Sequence, residues 1–203
     1  TVNEPKALVD EIVSRNNVGC FGENTGSATL KASGGTGKIN YTWLNTLPVQ
    51  SAPTATGLIA GTYFVLITDS VGCSISDTVT ITQPESPLSS VISVSVNPIC
   101  SRPNMGSATV TVTGGTKPYG YLWNTIPEQT TATASNLTEG NYKVTVTDAH
   151  GCLSFALITL TQPAGMNVSL KSVTSLRCAG DSTGSVFVEV SGGSPFEITP
   201  GNF

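Results

Sequence analysis

The chemistry most available to this chain is thiol chemistry. Five cysteines stand in 203 residues, and four of them fall into two evenly spaced pairs. Cys20 and Cys73 are 53 residues apart, and Cys100 and Cys152 are 52 apart. The second member of each pair closes a Thr-Asp-x-x-Gly-Cys run, at residues 68–73 and 147–152. One cysteine pair per repeating unit at a fixed place is a disulfide framework. Disulfides Cys20–Cys73 and Cys100–Cys152 are therefore expected. Cys178 is expected to be unpaired, its partner lying beyond Phe203. Zinc is not expected, because there is no Cys-x-x-Cys and His150 is the single histidine. No metal and no cofactor is expected.

Other side chains near the cysteines invite a reading as ligands. Asp69, Asp148, Asp181 and Glu23 all lie at the cysteine end of their units. Calcium takes six or more oxygens, commonly with several carboxylates. Where the first unit has Phe21-Gly22-Glu23-Asn24, the second has Ser101-Arg102-Pro103-Asn104. A cation there would lose an acid and face an arginine. The aspartates read better as the first residues of type I turns closed by Gly72 and Gly151. Tyr41 and Trp43, like Tyr119, Tyr121 and Trp123, would suit sugar stacking, but their period-2 spacing puts them on one strand face, read here as the core. Phe64 and Leu66 point the other way and are read as a contact with a neighbouring strand rather than an exposed apolar patch. His150 is read as a solvated turn tip. No Ser/His/Asp or Cys/His set recurs and no motif positions a carboxylate pair, so no catalysis is expected.

Behind these residues stands a repeat. Gly26-Ser27-Ala28-Thr29 recurs at Gly106, Gly34-Gly35-Thr36 at Gly114, and Tyr41-x-Trp43 at Tyr121, all 80 residues on. Leu58-x-x-Gly61-x-Tyr63 recurs at Leu137, and Thr82-Gln83-Pro84 at Thr161, both 79 residues on. A third copy begins after Pro163, with Gly184-Ser185-Val186 and Gly192-Gly193, and stops short. Residues 1–8 resemble the tail and linker at 80–88. The expected division is a tail and linker at 1–8, a first unit at 9–85, a second at 86–164 and a truncated third at 165–203. A fragment of a longer array is inferred.

The positioning elements are short strands. In the second unit they are expected at 91–99, 107–113, 119–123, 131–135, 141–147 and 155–161, with no helical period anywhere. This is an all-β chain of tandem immunoglobulin-like sandwiches of about six strands each, one disulfide per unit. Trp43 and Trp123 take the place of the buried tryptophan of such sandwiches. Tyr63 and Tyr142, each two residues after a glycine, take that of the tyrosine corner. The six-strand count also carries the disulfides. Four strands between the turn after the first strand and the turn before the last put both turns at one end, within reach of a bridge. A seven-strand count would put them at opposite ends.

Composition narrows the function. Charged residues make up 11% of the chain and formal net charge is −4. Nine scattered basic residues make no phosphate-binding face, so nucleic acid is not an expected partner. The longest apolar run, Tyr63 to Ile67, is far shorter than a membrane helix, and no membrane insertion is expected of this segment. Proline-rich linkers such as Gln83-Pro84-Glu85-Ser86-Pro87 resist bending and imply an extended arrangement with small interfaces between units.

The full set of motifs resembles the SprB repeat family of Bacteroidota surface proteins. The matching run is Cys100, then Gly106-Ser107-Ala108-Thr109-Val110, Gly114-Gly115-Thr116-x-Pro118-Tyr119-x-Tyr121-x-Trp123, Leu137-x-x-Gly140-x-Tyr142-x-Val144-x-Val146-Thr147-Asp148-x-x-Gly151-Cys152 and Thr161-Gln162-Pro163. The first unit departs at Lys38-Ile39-Asn40 and the third at Pro195-Phe196-Glu197-Ile198. The resemblance implies a large filament-like adhesin on the outer cell surface, exported by type IX secretion and in gliding species driven by the motility machinery. The expected role is a non-catalytic spacer and adhesive stalk. Its expected partners are neighbouring repeats of the same chain and a surface polysaccharide or other substratum. The competing reading is a carbohydrate-binding or accessory module of a secreted enzyme.

Overall fold

A computed structural model describes residues 4–99, 104–176, 178–180 and 182–193. Two compact units emerge. One comprises residues 1–91, 112–122 and 145–155, and the other residues 92–111, 123–144 and 156–203. The described residues form strands and no helix: β1 (Val9–Asn16), β2 (Gly26–Ser33), β3 (Asn40–Trp43), β4 (Thr54–Leu58), β5 (Gly61–Thr68), β6 (Ser74–Ile81), β7 (Ser89–Val96), β8 (Gly106–Thr113), β9 (Gly120–Trp123), β10 (Thr133–Leu137), β11 (Gly140–Thr147), β12 (Leu153–Leu160), β13 (Asn167–Thr174) and β14 (Ser185–Ser191).

The first repeat is two three-stranded sheets, β1-β2-β4 and β3-β5-β6. Pairing is antiparallel throughout. First, second and fourth strands in one sheet, third, fifth and sixth in the other, is the order of an immunoglobulin sandwich without its D strand. Alternation builds the core. On β5, Tyr63, Val65 and Ile67 are buried and Phe64 between them is exposed. Ala28 and Leu30 of β2, Ala55 and Leu58 of β4, Trp43 of β3, and Val79 and Ile81 of β6 join the same cluster. The second repeat follows the same strand orders, β7-β8-β10 and β9-β11-β12. Ala108, Val110, Trp123, Ala134, Leu137, Val144, Val146 and Leu160 are among its buried positions. Strand starts run 80 residues on from Val9 to Ser89 and 79 from Thr54 to Thr133. One residue is lost between the tryptophan and the glutamine it bridges, Trp43↔Gln50 against Trp123↔Gln129.

The third copy is the hairpin of β13 and β14. Its register and its bulge, between Leu170 and Ser172, repeat those of β1 and β2, between Ile12 and Ser14. Val186, Val188 and Val190 are exposed, whereas Ala28 and Leu30, at the corresponding places of the first repeat, are buried. A two-stranded ribbon has no second sheet to cover its apolar face.

The cysteine pairing departs from expectation. Cys20 is bonded to Cys152, with Cα atoms 5.7 Å apart. Cys73 carries an exposed free thiol. The expected bridges Cys20–Cys73 and Cys100–Cys152 are thus both displaced. Cys100 itself, like Asp181 and residues 101–103, lies outside the described residues. The strand count explains the difference. β3 and β4 run toward the same end of the sandwich, so residues 44–53 between them must run back the other way. Gln50 pairs with Trp43, and Pro53 accepts from Leu30 N–H, along this uncounted pass. The chain therefore makes as many crossings as a seven-strand sandwich. The turn after β1 lies by Ser27 and Leu58, while the turn after β5 lies by Asn40 and Ser33. The eight residues of β5, at about 3.3 Å each, separate the two ends by roughly 25 Å, far beyond a disulfide's reach.

Candidate functional site: a cystine joining successive repeats

The Cys20 side of the cystine is a loop, residues 17–25, pinned to the end of its own sandwich. Val18 N–H donates to Thr82 O at 2.9 Å. Asn17 Oδ1 accepts from Thr82 N–H at 3.0 Å, and Gln83 Oε1 from Gly22 N–H at 2.9 Å. Val18 is buried beneath. The Asn97 carboxamide accepts from Thr161 N–H at 3.1 Å, the same contact in the second repeat. The loop is thereby anchored to the last strand before it offers its cysteine.

The Cys152 side is a turn built on one aspartate. Asp148 Oδ1 accepts from His150 N–H at 2.8 Å and Cys152 N–H at 3.0 Å. Asp148 Oδ2 accepts from Thr116 N–H at 2.8 Å, tying this turn to the Gly114-Gly115 turn. Asp69 does the same with Val71, Cys73 and Thr36 at 3.0, 2.9 and 2.8 Å. Burial by itself raises both carboxyls, but the backbone N–H groups aimed at them outweigh it and hold both below the ordinary aspartate value. The aspartates singled out as turn residues thus carry the geometry that presents the cysteine.

Between the two sides, Cys152 Sγ lies 3.6 Å from Gly19 O. Gly19 packs on His150, where an added Cβ would stand 3.4 Å from the His150 Cβ. His150 keeps solvent exposure but borders a cleft with Arg15, Asn17 and Thr116. Sequence reasoning placed it on a free tip. It had no means of seeing that the tip faces the preceding repeat. A groove beside the cystine is lined by Phe21, Glu23, Pro87, Leu88 and Leu153.

The remaining candidates have other places. Trp43 and Trp123 are fully buried, their indole N–H groups donating to Ala52 O and Thr131 O at 3.0 and 2.9 Å. Tyr63 and Tyr142 hydroxyls donate to Ile59 O and Thr138 O at 3.0 and 3.1 Å, four residues upstream as in a tyrosine corner. Tyr63 is buried and Tyr142 half-buried. Cys178 is an exposed free thiol. Phe64 is exposed, with Thr78 opposite it on β6. Among the described residues no group of three or more His, Cys, Asp or Glu side chains is placed to hold a metal, and no helix is long and apolar enough to cross a membrane.

Strand order, tyrosine corner and buried tryptophan define a protein of tandem immunoglobulin-like β-sandwich repeats. The family model of the SprB repeat matches three segments of the chain, residues 13–47, 92–127 and 170–196. No curated protein matches the chain. Among solved structures, a 1.5-MDa bacterial ice-binding adhesin structure is 12% identical with a TM-score of 0.42, covering 86% of this chain and 71% of that one. The C-terminal 282-residue fragment of intimin, in complex with the intimin-binding domain of its translocated receptor, is 11% identical with a TM-score of 0.39, covering 81% and 66%. The N-terminal eight Ig domains of Down syndrome cell adhesion molecule are 16% identical with a TM-score of 0.32; the match covers 78% of this chain and 23% of that one.

Proposed function

We propose that this chain is a non-catalytic segment of a large cell-surface adhesin, acting as a stiff spacer and adhesive stalk in surface attachment and gliding motility, and reaching the cell exterior by type IX secretion. The observation that carries the reading is the Cys20–Cys152 cystine between consecutive repeats. A disulfide inside one domain stabilises that domain. A disulfide across a junction restrains two domains against each other and shields the connecting segment from extension. That is what a load-bearing array requires, and it belongs in an oxidising, extracellular compartment. The neighbouring repeats are then the first partners of each repeat, and a surface polysaccharide or other substratum the external one. Among the aromatics that would have suited sugar stacking, Trp43 and Trp123 are fully enclosed, which favours the stalk over the carbohydrate-binding alternative.

Single-molecule stretching tests this. With the cystine intact, the 132-residue interval it closes is withheld from the contour length released as both repeats unfold. With reductant, that length is recovered at lower force. Equal release under both conditions would contradict a mechanical role.

A further inference from the structure

Cys73 is free and exposed, yet the backbone around it is already shaped as it is around the bonded Cys152. Asp69 holds Cys73 N–H at 2.9 Å, as Asp148 holds Cys152 N–H at 3.0 Å. Asp69 N–H donates to Cys73 O and Asp148 N–H to Cys152 O, both at 3.0 Å. Oδ2 of each aspartate accepts from a threonine N–H at 2.8 Å, Thr36 in one repeat and Thr116 in the other. The two turns differ in what lies over them. Cys152 is covered by the loop that carries Cys20, and nothing described covers Cys73. The same chain thus shows what this turn binds when its partner is present.

We infer that Cys73 is a docking thiol whose partner is the cysteine following the first strand of another SprB repeat placed immediately N-terminal to Val9. Every repeat then offers two thiols at opposite ends of its sandwich, one spent on each neighbour. Cys178 fits the scheme as a second open thiol, in the loop between β13 and β14 as Cys20 is between β1 and β2. The inference rests on the tandem-repeat reading and extends the single observed bridge into a rule for the array.

Closing the bond needs an oxidant, and thiol–disulfide exchange supplies it. One protein thiolate attacks a donor disulfide, forming a mixed disulfide and releasing the first donor thiol. The second protein thiolate attacks that mixed disulfide, forming the protein S–S bond and releasing the second donor thiol with its electron pair. Two cysteine thiols are oxidised, one donor disulfide is reduced to two thiols, and the two protons end on the donor.

The test extends the chain by one repeat. A copy of residues 9–88 stands directly before Val9 in place of residues 1–8, which keeps Thr82 and Gln83 behind the copied Cys20 loop and preserves the 80-residue offset seen from Val9 to Ser89. The copy carries Cys73→Ser, to leave one turn cysteine in question, and Thr25→Ser, at an exposed loop position, as a mass tag. The protein is refolded with oxidised glutathione, alkylated while folded and mapped without reduction. The tagged Cys20 peptide should be joined to the Cys73 peptide and the untagged one to Cys152. Alkylation of Cys73 should fall at least tenfold from its value in the 203-residue chain. A Cys73 still fully alkylated, or a tagged peptide joined elsewhere, would overturn the inference. Loss of the untagged Cys20–Cys152 peptide would instead indict the observed bridge, so the two failures are distinguishable. A further variant, Cys73→Ser in the original repeat as well, should leave the tagged Cys20 alkylatable and the untagged bridge intact; a tagged cysteine still protected would also refute it.

Discussion

Asp69 and Asp148 each accept three backbone N–H groups, and Asp10 stands in the opposite situation. Its Oδ2 is buried without a partner. Burial first, then the charge of Asp77 and a hydrogen bond to it, push the Asp10 carboxyl above its ordinary value, while its own backbone N–H pulls the other way. Two carboxylates can share a hydrogen bond only once one is protonated, so the orphaned oxygen and the raised value describe one pair at two pH values. The two kinds of aspartate give stability opposite pH dependence. For Asp69 and Asp148 the folded value is depressed. Their contribution is complete above the unfolded value of 3.8 and is lost as pH falls through the lower folded values. For Asp10 the folded value is raised. Its penalty is absent at low pH and grows as pH rises from 3.8 through the folded value. Thermal melts of Asp10→Asn should therefore show a higher Tm than the parent at pH 7 and no gain at pH 3. Asp148→Asn should show a lower Tm at pH 7, with the difference shrinking on acidification. A gain for Asp10→Asn that is the same at both pH values would contradict the pairing.

At the scale of elements, the incoming segment of each repeat crosses its Gly-Gly turn at close range. Gly35, Gly115 and Gly193 N–H groups donate to Lys6, Ser86 and Ala164 carbonyls at 2.9, 3.0 and 2.7 Å. Gly34 has a φ of +81°, and a Cβ there would collide with the Ala7 carbonyl oxygen. Gly72 has a φ of +92° but open space around it. Gly72→Ala should cost only the left-handed backbone, about 1 kcal/mol, whereas Gly34→Ala adds a backbone clash and should cost at least about 2–3 kcal/mol; denaturant titration separates them. Much at this scale was legible in the chain. Alternation located the strands, the Gly-Ser-Ala-Thr and Gly-Gly runs located the repeats, and Tyr63 with Trp43 announced the sandwich. The pass through residues 44–53 was not legible. It has a single bridge, Gln50 to Trp43, and no period-2 pattern; apart from that bridge and the bond from Leu30 N–H to Pro53 O, side chains join in, Thr46 Oγ1 accepting from Gln50 N–H and Gln50 Oε1 from Thr56 N–H of β4, both at 3.0 Å. Missing that pass inverted the parity and misassigned both bridges. The anchoring of residues 17–25 by Asn17 and Gln83 was equally silent, being a contact across 65 positions.

For the molecule as a whole, the cystine is a covalent tie between two successive repeats. In the chain-entropy model a loop of ~100 residues is worth roughly 4.7 kcal/mol, and the interval here is longer. Little of that stabilises either sandwich alone, since each has its own core. It opposes separation of neighbours. The direct test is a peptide map of the folded 203-residue chain, digested after alkylation and without reduction. The account predicts one linked species joining the peptide of Cys20 to that of Cys152, with the peptide of Cys73 recovered alkylated. A species joining Cys20 to Cys73 would contradict it.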